Sequence, residues 1–100
     1  MGKRFFVFNG NSGLGRTEAV VVDEGRSTAY FMYRDAGDSR WYWGIQNSKP
    51  LDKIEESNLP DYVRLLVGNP FPIFMEFEGE SAKAFGLVRD SEAMIKALAA

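Results

Sequence analysis

The stretch that decides the fold runs from Lys3 to Glu24, KRFFVFNGNSGLGRTEAVVVDE. It is an aromatic run, a glycine-rich turn and a β-branched run. A helix after the glycines would make the turn a candidate anion cradle, whereas a strand would make it the connection of a hairpin. Val20, Val21 and Val22 stand in a row, and Gly25 follows closely. Valine is stiff at χ1 and packs well on a pleated surface. The pattern therefore predicts a strand over 16–24, paired with a preceding strand over 3–9. Phe6 and Phe8 fall on one face of that first strand, Phe5 and Val7 on the other. Apolar residues on both faces mark a strand covered from both sides.

Within GNSGLGRT, residues Gly10, Gly15, Arg16 and Thr17 resemble the G-x-x-x-x-G-K-[ST] loop of P-loop nucleoside triphosphatases. The resemblance implies loop amides that cradle phosphates, a cation on the terminal phosphates and a hydroxyl on magnesium. On that alternative reading Gly13, Gly15, Arg16 and Thr17 form a phosphate site. The chain departs from the family in three ways. Arg16 stands where the family has lysine, and the two cations are not equivalent there. The valine run favours a strand where the family has a helix. Asp23 ends an apolar run, as the family's metal-binding aspartate does, but follows Thr17 too closely for a helix and a parallel return strand. The favoured reading is that the glycines supply positive φ for a loop between two strands.

Further along, Asp23-Glu24-Gly25-Arg26 is a turn signal. A third strand is expected over 27–34, with Tyr30 and Met32 on one face and Phe31 and Tyr33 on the other. After a turn at 35–39, the segment RWYWGIQ predicts a fourth strand over 40–46, with Trp41, Trp43 and Ile45 on one face. The two tryptophans are assigned to the core. Residues 48–57 read as a short helix, with Leu51 and Ile54 on one face. In NLPDYVRLLVGNP, Asn58 can cap, Pro60 sits in the first turn, and Leu59, Val63, Leu66 and Val67 form an apolar stripe over 59–67. Gly68 and Pro70 stop this helix. A fifth strand is expected over 71–78, with Phe71, Ile73, Met75 and Phe77 sharing a face. Residues 79–81 read as a turn and 82–89 as a sixth strand, with a helix start as the alternative. A last helix follows, capped by Asp90 or Ser91, with Met94, Ile95 and Leu98 inward.

Strands cluster instead of alternating with helices. The fold class expected is α+β: one domain over 1–100, an antiparallel β-meander of about five to six strands, and two to three helices packed on one face.

The function classes narrow by residue type. The chain has no cysteine and no histidine. Thiolate metal sites, disulfides and the side chain that titrates nearest neutrality are thus missing, and no enzyme is expected. Asp35, Gly37 and Asp38 lack the alternating ligands and distant glutamate of a calcium loop, so no metal and no cofactor is expected. Twelve basic residues against 14 acidic ones, scattered without a run, argue against nucleic acid. The apolar run FFVF is too short for a signal peptide, and no membrane span is visible, so a cytoplasmic protein is expected.

The aromatic count is high: 8 Phe, 4 Tyr and 2 Trp. That is more than a core of this size readily holds, and Tyr, Trp and Arg are the residue types that anchor interfaces. Tyr33, Arg40 and Tyr42 are the candidates for an exposed binding patch. Glu76 and Glu78 on the fifth strand, with Glu80 just beyond it, form an acidic stripe suited to a basic partner surface. The expected function is a small protein-binding module, an immunity-type inhibitor or a regulatory protein that binds a larger protein stoichiometrically. A homodimeric structural protein is the further alternative.

Overall fold

The computed structural model describes residues 3–9, 15–44, 48–51, 58–68 and 74–98. The order is β1 (Lys3–Asn9), β2 (Thr17–Asp23), β3 (Thr28–Arg34), β4 (Ser48–Pro50), α1 (Leu59–Leu66), β5 (Phe74–Phe77), α2 (Gly79–Ala84) and α3 (Leu87–Leu98). The strands form one antiparallel sheet in the order β4-β3-β2-β1-β5. This is the α+β meander expected, with β5 added beside β1.

The valine run is strand, as its stiff side chains require. Phe6 lies opposite Val20, and Val20 opposite Phe31. Phe5 lies opposite Val21, and Val21 opposite Tyr30. Because side chains alternate along a strand, these two ladders point to opposite faces. Each face has its own core. Phe5, Ala19, Val21, Tyr30, Met32, Trp41 and Phe77 pack against Ala82 of α2 and Leu87, Met94 and Ile95 of α3. Phe6, Phe8, Val20, Val22 and Ala29 pack against Leu59 and Val63 of α1. The helices thus divide between the faces instead of sharing one. Val20, Val21 and Val22 are all fully buried. Three consecutive apolar residues in a strand demand cover on both sides, and that demand sends α1 to the face opposite α2 and α3.

Three elements differ from the sequence reading. Residues 40–44, the described part of the segment 40–46, do not form a strand; among the described residues they touch β3 through one bridge, Tyr33 to Tyr42. Pairing with β3 resumes at Ser48–Pro50, where a helix was expected, while residues 52–57 lie outside the described part. Trp41 explains the interruption. Its indole Nε1 donates to the carbonyl oxygen of Phe85 at 2.8 Å, and its backbone N–H donates to Asp90 Oδ2 at 2.9 Å. Those bonds draw the chain from the sheet edge toward the α2–α3 turn. Trp41 is 1% exposed, as a core tryptophan should be, and Trp43 packs partly buried beside it. The guanidinium of Arg34 lies 5.0 Å from the Trp41 ring centroid and 4.7 Å from that of Phe85.

The second difference is 82–89, which is helical, not a sixth strand. Glu78 ends β5 because the Ser81 hydroxyl closes onto its backbone: Oγ donates to the Glu78 carbonyl oxygen at 2.7 Å and accepts its N–H at 3.3 Å. That starts α2 where a turn was expected. Gly86, at φ +75°, ends α2 and admits α3 at once, so Asp90 and Ser91 lie inside a helix and do not cap it.

The third is at the caps and edges. Asn58 occupies the N-cap position of α1 without a side-chain cap bond. Phe77 is buried as expected, but Met75 is 62% exposed, because α2 and α3 cover the Phe77 end of β5. Phe71 and Ile73 lie outside the described residues.

Candidate partner-binding surface

The bridge between Tyr33 and Tyr42 builds the site. Each backbone N–H donates to the other's carbonyl oxygen, at 2.9 and 2.8 Å. That fixes both side chains on the α1 face, where the rings lie 5.8 Å apart and tilted 31°. The guanidinium of Arg16 lies 4.4 Å over the Tyr33 ring, and its Nε donates to Asp35 Oδ1 at 3.0 Å. On the far side, Tyr42 Oη donates to Asp38 Oδ2 at 2.9 Å. Asp38 Oδ1 accepts the Arg40 N–H at 3.0 Å.

These bonds perturb both groups. The Arg40 N–H and the Tyr42 hydroxyl hold the Asp38 carboxyl below its ordinary value. The Asp38 carboxylate, through that hydrogen bond and its charge, pushes the Tyr42 phenol up. The result is a stack of Arg16, Tyr33 and Tyr42 held in place by two aspartates. Tyr42 remains 38% exposed.

Beside the stack lies a groove of about 340 Å³, lined by Arg16, Glu18, Phe31, Tyr33, Lys49, Leu66 and Val67, with Ala19 and Met32. On this face α1, the eight residues Leu59–Leu66, packs over the sheet through Leu59 and Val63. Phe31, Leu66 and Val67 are left only partly buried. Lys49 Nζ lies 5.7 Å from the Phe31 ring centroid. Next to Leu66 in α1, Leu65 is 67% exposed.

The expected binding residues therefore separate into two groups. Tyr33 and Tyr42 come together, and Arg40 is exposed on the same loop. Glu76, Glu78 and Glu80 are all exposed, away from the tyrosines. Glu76 is clamped by Arg4, whose Nε and second guanidinium nitrogen donate to its two oxygens at 2.6 and 3.1 Å. Glu78 caps α2, and Glu80 lies in that helix's first turn, where its charge suits the helix dipole. β5 is also separated from β3 by β2 and β1, about 14 Å at ordinary strand spacing.

The phosphate alternative loses its geometry. Gly13 lies outside the described residues. Gly15 has φ +75°, and a Cβ there would meet the Ala36 side chain at 3.1 Å. Thr17 opens a strand antiparallel to β1, so no helix N-terminus follows the loop. Arg16 is instead committed to Asp35 and Tyr33.

Sequence reasoning missed Glu18, Phe31, Lys49, Leu66 and Val67 as one surface. The β2–β3 hairpin register alone places Glu18 opposite Tyr33. Nothing in the linear pattern says that α1 docks beside them. Among the described residues no cluster of acidic side chains is arranged to hold a metal ion. No helix among them is long and apolar enough to cross a membrane. No protein-family model matches the chain, and no curated protein or solved structure does either.

Proposed function

We propose that this protein is a non-enzymatic binding module of the cytoplasm, an immunity-type inhibitor or a regulatory protein, which acts by stoichiometric association with a larger protein. The observation that carries the reading is the exposed Arg16–Tyr33–Tyr42 stack, held by Asp35 and Asp38. Tyrosine and arginine supply large contact area, and a side chain already fixed loses little entropy on binding. The adjoining groove and the exposed Leu65 extend the apolar surface around it. The acidic group on β5 and α2 lies apart from this surface, with β1 and β2 between β5 and β3.

The test is affinity capture with the tagged protein, then size-exclusion of the purified complex. A single partner at fixed stoichiometry is expected. Replacing Tyr42 with Ala should weaken that complex by at least about 2 kcal/mol, roughly thirtyfold. A complex indifferent to Tyr42→Ala and Tyr33→Ala would remove this surface from the account. Turnover of a substrate by the isolated chain would remove the non-enzymatic reading itself.

A further inference from the structure

We propose that the groove beside the tyrosine stack receives an extended segment of the partner that carries an apolar side chain between a basic and an acidic one. This rests on the protein-binding reading and specifies the partner's chemistry.

The groove runs along β3. Phe31 forms the middle of its floor, with Leu66 and Val67 as one wall. Its two ends are marked by register: Lys49 lies opposite Ala29, and Glu18 lies opposite Tyr33. Ala29 and Tyr33 are four steps apart on one strand, and Lys49 and Glu18 lie on the strands either side of it, so the charged ends are about 16 Å apart on a diagonal across β3. The ends differ in charge. At the Tyr33 end, Glu18 and Asp35 stand against Arg16, whose Nε is spent on Asp35, so one negative charge is uncompensated. Asp38 and Arg40, on the adjoining loop, carry opposite charges and add no net charge there. At the other end is Lys49, with its ammonium against the Phe31 ring. Among the described residues neither Glu18 nor Lys49 has an ion-pair partner.

A surface that is negative at one end, aromatic in the middle and positive at the other is complementary to a segment with the reverse pattern. An extended chain covers about 13–16 Å in four to five residues. The matching segment therefore carries its basic and acidic residues about four to five positions apart, with the apolar residue midway. The groove volume of about 340 Å³ is at the small end for ligand sites, room for one large side chain and its neighbours. The midway residue thus sits over Phe31, its acidic neighbour at Lys49 and its basic neighbour at Glu18.

The test is selection of a displayed library of random short peptides on the immobilised full chain. Enriched peptides should carry opposite charges about four to five positions apart around an apolar residue. Replacing Lys49 with Ala should abolish selection for the acidic position alone, and Glu18→Ala for the basic position alone. Each substitution should weaken the wild-type peptides up to about fivefold. Both side chains are exposed, and unchanged melting of the variants confirms that folding is intact. Peptides without that charge spacing, no enrichment, or indifference to both substitutions would overturn the proposal. A captured partner that is lost with Tyr42→Ala but keeps its affinity with Lys49→Ala and Glu18→Ala would sink the groove assignment and leave the binding reading standing.

Discussion

The carboxylate of Asp90 accepts the backbone N–H of Trp41 at 2.9 Å, across 49 positions of sequence. Asp90 is 7% exposed, and its other oxygen accepts Arg89 Nε at 2.9 Å. This bond and the Trp41 indole bond to Phe85 fasten the 35–44 loop to the α2–α3 turn. Asp90→Ala leaves the Trp41 N–H buried without an acceptor. The expected loss is about 1–3 kcal/mol, read as a lower urea midpoint at unchanged slope. A midpoint equal to wild type would mean that the loop is held without Asp90.

Acid should act through the same carboxylate. Burial pushes the Asp90 carboxyl up, but hydrogen bonds from Arg89 and the Trp41 N–H, with the charges of Arg89 and Arg40, outweigh it and hold it below the ordinary value. A carboxylate whose folded pKa is depressed stabilises the fold above the unfolded value, about 3.9, and loses that contribution as pH falls through the folded value. Stability should therefore decline below about pH 4, and less steeply in Asp90→Asn. Urea midpoints for both proteins between acid and neutral pH decide this; parallel curves would exclude Asp90 as a source of the decline.

Tyr42 gives the mirror case at alkaline pH. Its phenol is pushed up by the hydrogen bond to Asp38 and by that carboxylate's charge. A phenol titrating later in the folded state contributes stability that is present below the ordinary tyrosine value, about 10, and is lost as pH rises through the folded one. In Asp38→Asn the Tyr42 phenolate should form at lower pH. Ultraviolet titration of the variant against wild type measures this, and superimposable curves would mean that the hydrogen bond does not persist in solution.

The first three strands were legible because each residue type agrees with its place. Phe, Val and Tyr alternate, and turn residues separate the runs. The later errors have physical causes. RWYWGIQ alternates like a strand, but Trp41 finds partners in Phe85 and Asp90 that alternation cannot reveal. In 82–89, Phe85, Leu87 and Val88 around Gly86 look extended, yet Gly86 is the stop between two helices. Glu78 and Ser81 at capping spacing were the overlooked signal. Tyr42 is exposed and Tyr33 half-buried, while their neighbours Trp41 and Met32 fill the core, an alternation visible in the sequence. The groove was not legible there, because it depends on where α1 docks.

Strain in the β2–β3 turn falls on an unexpected residue. Gly25 does not use its freedom, whereas Ser27 has φ +47°. A left-handed L-residue costs about 1–2 kcal/mol, partly offset here because glycine loses more entropy on folding. Ser27→Gly should therefore stabilise by up to about 1 kcal/mol, a few degrees in melting temperature. Gly25→Ala should be neutral or mildly stabilising, since its Cβ would rest 3.5 Å from Asp23 Oδ1, an ordinary contact. Calorimetry of both variants reverses the intuition that the glycine is the indispensable residue. A Ser27→Gly protein that melts lower than wild type would contradict the turn geometry.

Cover on both faces of the sheet makes the last prediction. Phe6 and Met94 are each fully buried, on opposite sides of β1 and β2. If α1 seals its face as α3 seals the other, Phe6→Ala costs about 3–5 kcal/mol and Met94→Ala about 2–5. Leu65, on the outward side of α1 at 67% exposure, should tolerate Ser within about 0.5 kcal/mol. Urea unfolding of the three variants discriminates the arrangements. With helices on one face only, Phe6 would be solvent-facing and its removal nearly free, so a Phe6→Ala protein as stable as Leu65→Ser would show that α1 does not close over the valine strand.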